Sequence, residues 1–220
     1  MWYALLRTLS SWLLISSISS TIIEDIQEDE CQTGLAILTF YYFDFRHIDN
    51  QVVRSFLSSL LMQLGDQSDK FSQILSALHS SHRHGSRQPS EDDLLQCLKN
   101  MLEIPGQGEL YIVVDALDEC QNLTGSRTPR QQVLDIIKEL VNLKASHLHI
   151  CVTSRFEIDI RWVLEPLGPV SVPLDEERGQ KEDIAQYVKE FVESDAKMQL
   201  WPEKKRKLVI STLSEKGCGM

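Results

Sequence analysis

The run Leu110-Tyr111-Ile112-Val113-Val114 has no polar face, and it ends abruptly in Asp115, followed by Asp118 and Glu119. Apolar at every position, such a strand must be covered on both sides, the situation of a central strand in a parallel sheet flanked by helices. The rest of the chain suits that sheet. Trp12 to Ile15 reads as a short buried strand, and Ser20 to Glu30 as a helix with Ile22, Ile23 and Ile26 on one face. Leu35 to Phe45 is rich in aliphatic and aromatic residues and reads as a strand, with Asp44 and Arg46 at its end. Asp49 or Asn50 can cap a helix whose stripe is Val52, Val53, Phe56, Leu57, Leu60, Leu61 and Leu64.

A shorter stripe, Phe71, Ile74, Leu75 and Leu78, leads into a polar loop from His79 to Gln88. Pro89-Ser90 with Asp93 resembles a capping box, and Leu94 to Leu102 continues that helix until Pro105-Gly106-Gln107-Gly108. Thr128-Pro129 opens another helix with proline at its first position, and Val133, Leu134, Ile136, Ile137, Leu140 and Val141 are its core stripe. His147 to Val152 and Val170 to Leu174 are further strands. Ile184 to Phe191 and the segment from Glu203 are further helices. Strands alternating with helices predict an α/β fold, with a parallel sheet and helices on both faces. No internal repeat is visible.

At 220 residues the chain can hold one sizeable α/β core. Its 22 basic and 32 acidic residues leave a net charge of −10, which argues against a nucleic-acid partner. The basic run Lys204 to Lys207 reads as a solvated helix face. Five scattered cysteines, with no C-x-x-C pair, form neither a disulfide framework nor a zinc pattern and suggest a reducing, cytoplasmic compartment. His79, His82 and His84 lack an acid or cysteine beside them in sequence, so a metal site there is disfavoured. The apolar stretch Leu13-Leu14-Ile15 is too short for a membrane span. Ser17 and Ser19 satisfy a small-x-small rule, leaving secretion through a signal peptide as the minor alternative. Asn122-Leu123-Thr124 is formally a glycosylation sequon, a triplet common by chance.

Acids at the carboxyl end of a central strand stand where open α/β sheets bind ligands. Asp115 can hold magnesium through its carboxylate, and a neighbouring acid, Asp118 or Glu119, can orient a water. The structural alternative is an acidic turn that caps a helix. Arg155, at the tip of the next strand in Thr153-Ser154-Arg155, can meet a terminal phosphate or pair with a surface acid.

Together, Ser19 to Ile26, Phe40 to Arg46, Tyr111 to Cys120, His149 to Arg161 and Gln180 to Ile184 resemble the NACHT-type, nephrocystin-3-like N-terminal domain of large fungal receptor-like proteins, many with ankyrin repeats. The likeness covers roughly residues 12 to 220. It implies a three-layer P-loop NTPase-like sheet truncated at both ends. Residues 1–18 would be an atypical first segment with a possible strand, 19–175 the core, and 176–220 the start of a helical subdomain. It also implies Mg-ATP or Mg-GTP as the ligand of intact relatives. Asp115 would be the Walker B magnesium residue, Asp118 and Glu119 the acids around metal and water, and Arg155 a sensor near the γ-phosphate.

One departure decides the functional expectation. The family carries a glycine-rich loop ending in Gly-Lys-Ser/Thr, which wraps phosphates with backbone N–H groups and a lysine charge. Between Met1 and Gln32 this chain has no glycine and no lysine. Hydrogen bonds to charged groups are worth roughly 1.5–3 kcal/mol each, so losing three or four removes about 5 kcal/mol or more, some thousandfold in affinity. The expectation is weak or absent nucleotide binding, with protein partners or self-association as the alternative role of a scaffold or a truncated fragment, and no membrane association.

Overall fold

The computed structural model describes residues 3–8, 12–28, 34, 36–44, 52–82, 87–122, 127–168, 170–173, 178–195 and 197–216. Asp49, Asn50, Arg46, Leu123, Thr124, Cys31, Cys218 and His84 lie outside them. Five described strands form one all-parallel sheet: β1 (Tyr3–Thr8), β2 (Ala36–Tyr42), β3 (Glu109–Asp115), β4 (Leu148–Arg155) and β5 (Val170–Pro173), in the order β2-β3-β4-β1-β5. The helices are α1 (Trp12–Ile26), α2 (Val52–Gln67), α3 (Asp69–Ser81), α4 (Glu91–Leu102), α5 (Pro129–Asn142), α6 (Ile158–Leu164), α7 (Arg178–Ser194) and α8 (Glu203–Lys216).

Alternation along β3 and β4 divides the interior into two cores. Leu110, Ile112, Val114, Leu148, Ile150 and Val152 face a large core closed by α2, α4, α5 and α6. Tyr111, Val113 and Cys151 face the other side, where Ile22, Ile23 and Ile26 of α1 cover them together with Leu38 and Phe40. The consecutive apolar run of β3 is therefore buried on both faces, as its pattern requires. The expected α/β fold, a parallel sheet between helical layers, is the fold observed.

Helix α1 leaves β1 on one face, whereas the connections through α2 to α4, α5 and α6 pass over the other. Right-handed crossovers make that unavoidable, because the chain crosses the sheet one way from β1 to β2 and the opposite way afterwards. The point where direction reverses lies between β1 and β4, whose tips are the register pair Thr8 and Arg155. Ligand crevices of open α/β sheets form at that kind of junction.

Local expectations held in detail at two helix starts. Ser90 and Asp93 make the reciprocal bonds of a capping box, and Thr128 accepts from the Gln131 N–H at the head of α5. The first strand was misplaced. Trp12 to Ile15 are the opening turn of α1, and the strand between β4 and β5 is Tyr3–Thr8. A run of four apolar residues suits a strand or a helix equally, and here it continues without a break into the helix that follows. Leu9, Ser10 and Ser11 stand between β1 and α1.

Leu60 sits under α2 at 0% exposure within the large core. Leu60→Ala is expected to cost about 2–5 kcal/mol, lowering the urea midpoint without changing the slope of the unfolding transition.

Candidate functional site

The buried end of β3 places a carboxylate at the junction between the two helical layers. Asp115 is 4% exposed and accepts two hydroxyls at one oxygen. Thr153 Oγ1 of β4 donates to Asp115 Oδ1 at 2.5 Å, and Ser19 Oγ of α1 donates to the same atom. Ser19 and Thr153 are themselves buried. Burial pushes the Asp115 carboxyl above its ordinary range; the Ser19 and Thr153 hydroxyls oppose this, and the charge of Asp118 adds to it.

After Asp115 the backbone turns through Ala116, at φ 54°, into a 3₁₀ turn over Leu117–Glu119. A left-handed alanine costs about 1–2 kcal/mol. The turn is held by the Ala116 N–H, which donates to Thr153 Oγ1 at 2.9 Å, and by Leu117, which is fully buried in the large core. The Asp118 carboxylate then meets the tip of β4. It accepts the Arg155 backbone N–H at 2.9 Å and the Arg155 Nε at 2.6 Å. Glu119 lies on the outer side of the turn, lining a shallow cleft of about 380 Å³ with Asp118, Asn122, Arg130 and Arg155. It also borders a second cleft of about 240 Å³ beside Tyr42 and Asp44.

Asp115, Asp118 and Arg155 are thus brought together at the carboxyl edge of the sheet, with Asp118 and Arg155 paired to each other. Three participants were not singled out as site residues in the sequence. Ser19 and Thr153 fix Asp115. Arg130, at the head of α5 and 7% exposed, fixes the turn. Its Nε donates to the Cys120 carbonyl at 3.0 Å, another guanidinium nitrogen donates to the Asp118 carbonyl, and its backbone N–H donates to the Gln121 carbonyl at 3.2 Å. The same guanidinium pairs with Asp159 of α6 at 3.3 Å.

The oxygen donors suited to magnesium, Ser19 Oγ and Asp115 Oδ1, are adjacent, but the residues around them do not fit a nucleotide's phosphates. Helix α1 already spans 12–18 before it reaches Ser19, so the N–H groups of Ser16 to Ser19 fall where intrahelical bonds satisfy them. Phosphate cradles use N–H groups left free at a helix start. No group of three or more His, Cys, Asp or Glu able to hold a metal occurs among the described residues. His82 does find an acid at the start of the next helix, Asp93 at 3.2 Å, and that pair joins the end of α3 to the capping box of α4. No helix among the described residues is long and apolar enough to cross a membrane.

The family described as Nephrocystin 3, N-terminal matches residues 16–155. A search of curated proteins gave no match. Among solved structures, Drosophila ORC bound to DNA aligns at 12% identity and a TM-score of 0.38, covering 78% of this chain and 79% of that one. Drosophila ORC bound to AT-rich DNA and Cdc6 aligns at 10% identity and a TM-score of 0.39, over 99% and 70% of the two chains. The complex with GC-rich DNA and Cdc6 gives 12% and 0.39, over 99% and 71%. A likeness this distant assigns no function.

Two outcomes follow from these contacts. Arg130→Met strands the Cys120 and Asp118 carbonyls and removes one partner of the half-exposed Asp159 carboxylate, and is expected to cost about 2–3 kcal/mol in urea unfolding. Arg127→Met, which removes a largely exposed pair with Asp135, should stay within about 0.5 kcal/mol of the parent. Asp115→Asn keeps an oxygen for both hydroxyls and removes the buried charge. The native carboxyl, raised in the folded state, contributes its full stability below the ordinary carboxyl range near about pH 4 and loses it as pH rises through the raised value. The asparagine variant is therefore expected to be the more stable protein at pH 7, with the advantage shrinking on acidification, as measured by unfolding between pH 3.5 and 7.

Proposed function

Because the chain belongs to the nephrocystin-3 N-terminal family, we propose that it is a P-loop NTPase-like module of a cytoplasmic signalling or receptor-like protein, in which the Walker B side survives as a structural lock and ATP or GTP binding is impaired. In this reading Asp115, the magnesium residue of intact relatives, is committed to Ser19 and Thr153. Asp118, the metal or water acid, is committed to Arg155, the residue of the sensor position. Glu119 retains the place of a water-orienting acid without phosphates to act on. The observation that carries the reading is the unbroken helix through Ser19: the N–H groups that would cradle phosphates are inside it.

Such a module works through protein contacts. Phe156, Ile158 and Trp162 beside the carboxyl edge are exposed, Trp162 at 80%, and offer apolar surface for a protein partner or for self-association. The net charge of −10 disfavours nucleic acid in that role.

Calorimetry with Mg-ATP and Mg-GTP on the folded 220-residue chain tests the reading. No binding with a submillimolar dissociation constant is expected for either nucleotide. A submillimolar constant that Asp115→Ala abolishes would overturn the proposal, by showing that another segment supplies the phosphate contacts.

A further inference from the structure

Strand β2 is one edge of the sheet among the described strands, and its outward backbone groups at Leu38 and Phe40 are not left to water. Gln67 of α2 donates its Nε2 to the Leu38 carbonyl at 2.6 Å and accepts the Leu38 N–H at its Oε1 at 3.0 Å. One helical turn earlier, Gln63 does the same for Phe40, at 2.8 Å to the carbonyl and 2.9 Å from the N–H. Each side-chain amide thus makes the two bonds that one residue of a neighbouring antiparallel strand would make with its own N–H and C=O. The spacing explains why two glutamines suffice. Residues four apart on a helix rise about 6.0 Å, and outward-facing residues two apart on a parallel strand are separated by about 6.6 Å.

Further bonds hold the amides in place. Gln67 Nε2 also donates to the Gln63 carbonyl at 2.8 Å, and Gln63 Nε2 to Ser59 Oγ at 3.0 Å. Thr39 Oγ1 lies 3.3 Å from Gln63 Oε1. The strand so covered, Ala-Ile-Leu-Thr-Phe-Tyr-Tyr, contains no charge, proline or glycine. It therefore lacks the residues with which natural edges ward off pairing, and it has the composition of self-pairing segments.

We propose that Gln63 and Gln67 act as a two-rung surrogate strand that masks the β2 edge, and that the masked edge is a site where a second copy of this chain adds by β2–β2 pairing once the glutamines are withdrawn. A second copy is the fitting occupant because an uncharged strand meets no like charge when it pairs with itself.

The test uses the full chain carrying Gln63→Met and Gln67→Met, which keep length and helix propensity and remove the amides. Amide exchange by NMR is expected to quicken about tenfold at Leu38 and Phe40, while Ile37, Thr39 and Tyr41, which face β3, keep their rates. Light scattering is expected to show a larger species than the parent at equal concentration, and Tyr42→Lys, a charge placed on the same edge, is expected to remove it. Unchanged exchange at Leu38 and Phe40 would overturn the mask. A folded double variant of parental mass, or association indifferent to Tyr42→Lys, would overturn the pairing site. Should the double variant fail to fold, Gln67→Met alone decides the mask through Leu38: faster exchange supports it and an unchanged rate overturns it.

Discussion

A carboxylate buried at the end of the central strand sets the terms for everything around it. Taking a carboxylate out of water costs several kcal/mol unless hydrogen bonds and geometry offset it. For Asp115 the offset comes from Ser19 and Thr153, which converge on one oxygen from the helix on one face and from the neighbouring strand. One atom therefore ties α1, β3 and β4 together at the place where the chain reverses its direction across the sheet. Thr153 serves twice, donating to the carboxylate and accepting from Ala116, so the same side chain that solvates the acid holds the left-handed residue that starts the acidic turn.

The turn beyond Asp115 is compensated in the same local manner. Asp118 takes both the backbone and the guanidinium of Arg155, and Arg130 takes carbonyls of the turn while pairing with Asp159. An anionic ligand approaching this edge would gain Arg155 only by parting it from Asp118. These pairs hold the turn in shape.

How much of this was legible depended on whether a residue's partner lies nearby in sequence. β3 was readable because five consecutive apolar positions leave few alternatives, and Ser90 with Asp93 because a capping box closes within one turn. Asp115, Asp118 and Arg155 were located by their positions at strand ends. Their pairings were not readable, since Ser19 reaches Asp115 across 96 positions and Thr153 across 38. Arg130 looked like an ordinary polar residue at a helix start, and only the packing of α5 against the acidic turn gives it work. The N-terminus was misread because a short apolar run such as Trp12 to Ile15 suits a strand or a buried helix equally.

The same physical device recurs at both margins of the sheet. At the carboxyl edge, the Ser19 hydroxyl from α1 supplies a hydrogen bond to a carboxylate that would otherwise be buried without enough donors. At the lateral edge, Gln63 and Gln67 from α2 supply the bonds of an adjacent strand. In each case a polar side chain on an amphipathic helix reaches over the apolar interface to satisfy a group that the sheet cannot satisfy itself. Unpaired buried polar groups are costly enough that such reach constrains helix position as firmly as the leucine stripes beneath. The leucines of α2 determine that it packs on the large core, but apolar contact tolerates sliding along the helix axis. Two amides matched to alternate residues of β2 do not, because a shift of one residue would leave four backbone bonds unmade. The glutamines therefore set the register of α2 on the sheet, which the hydrophobic pattern alone leaves open.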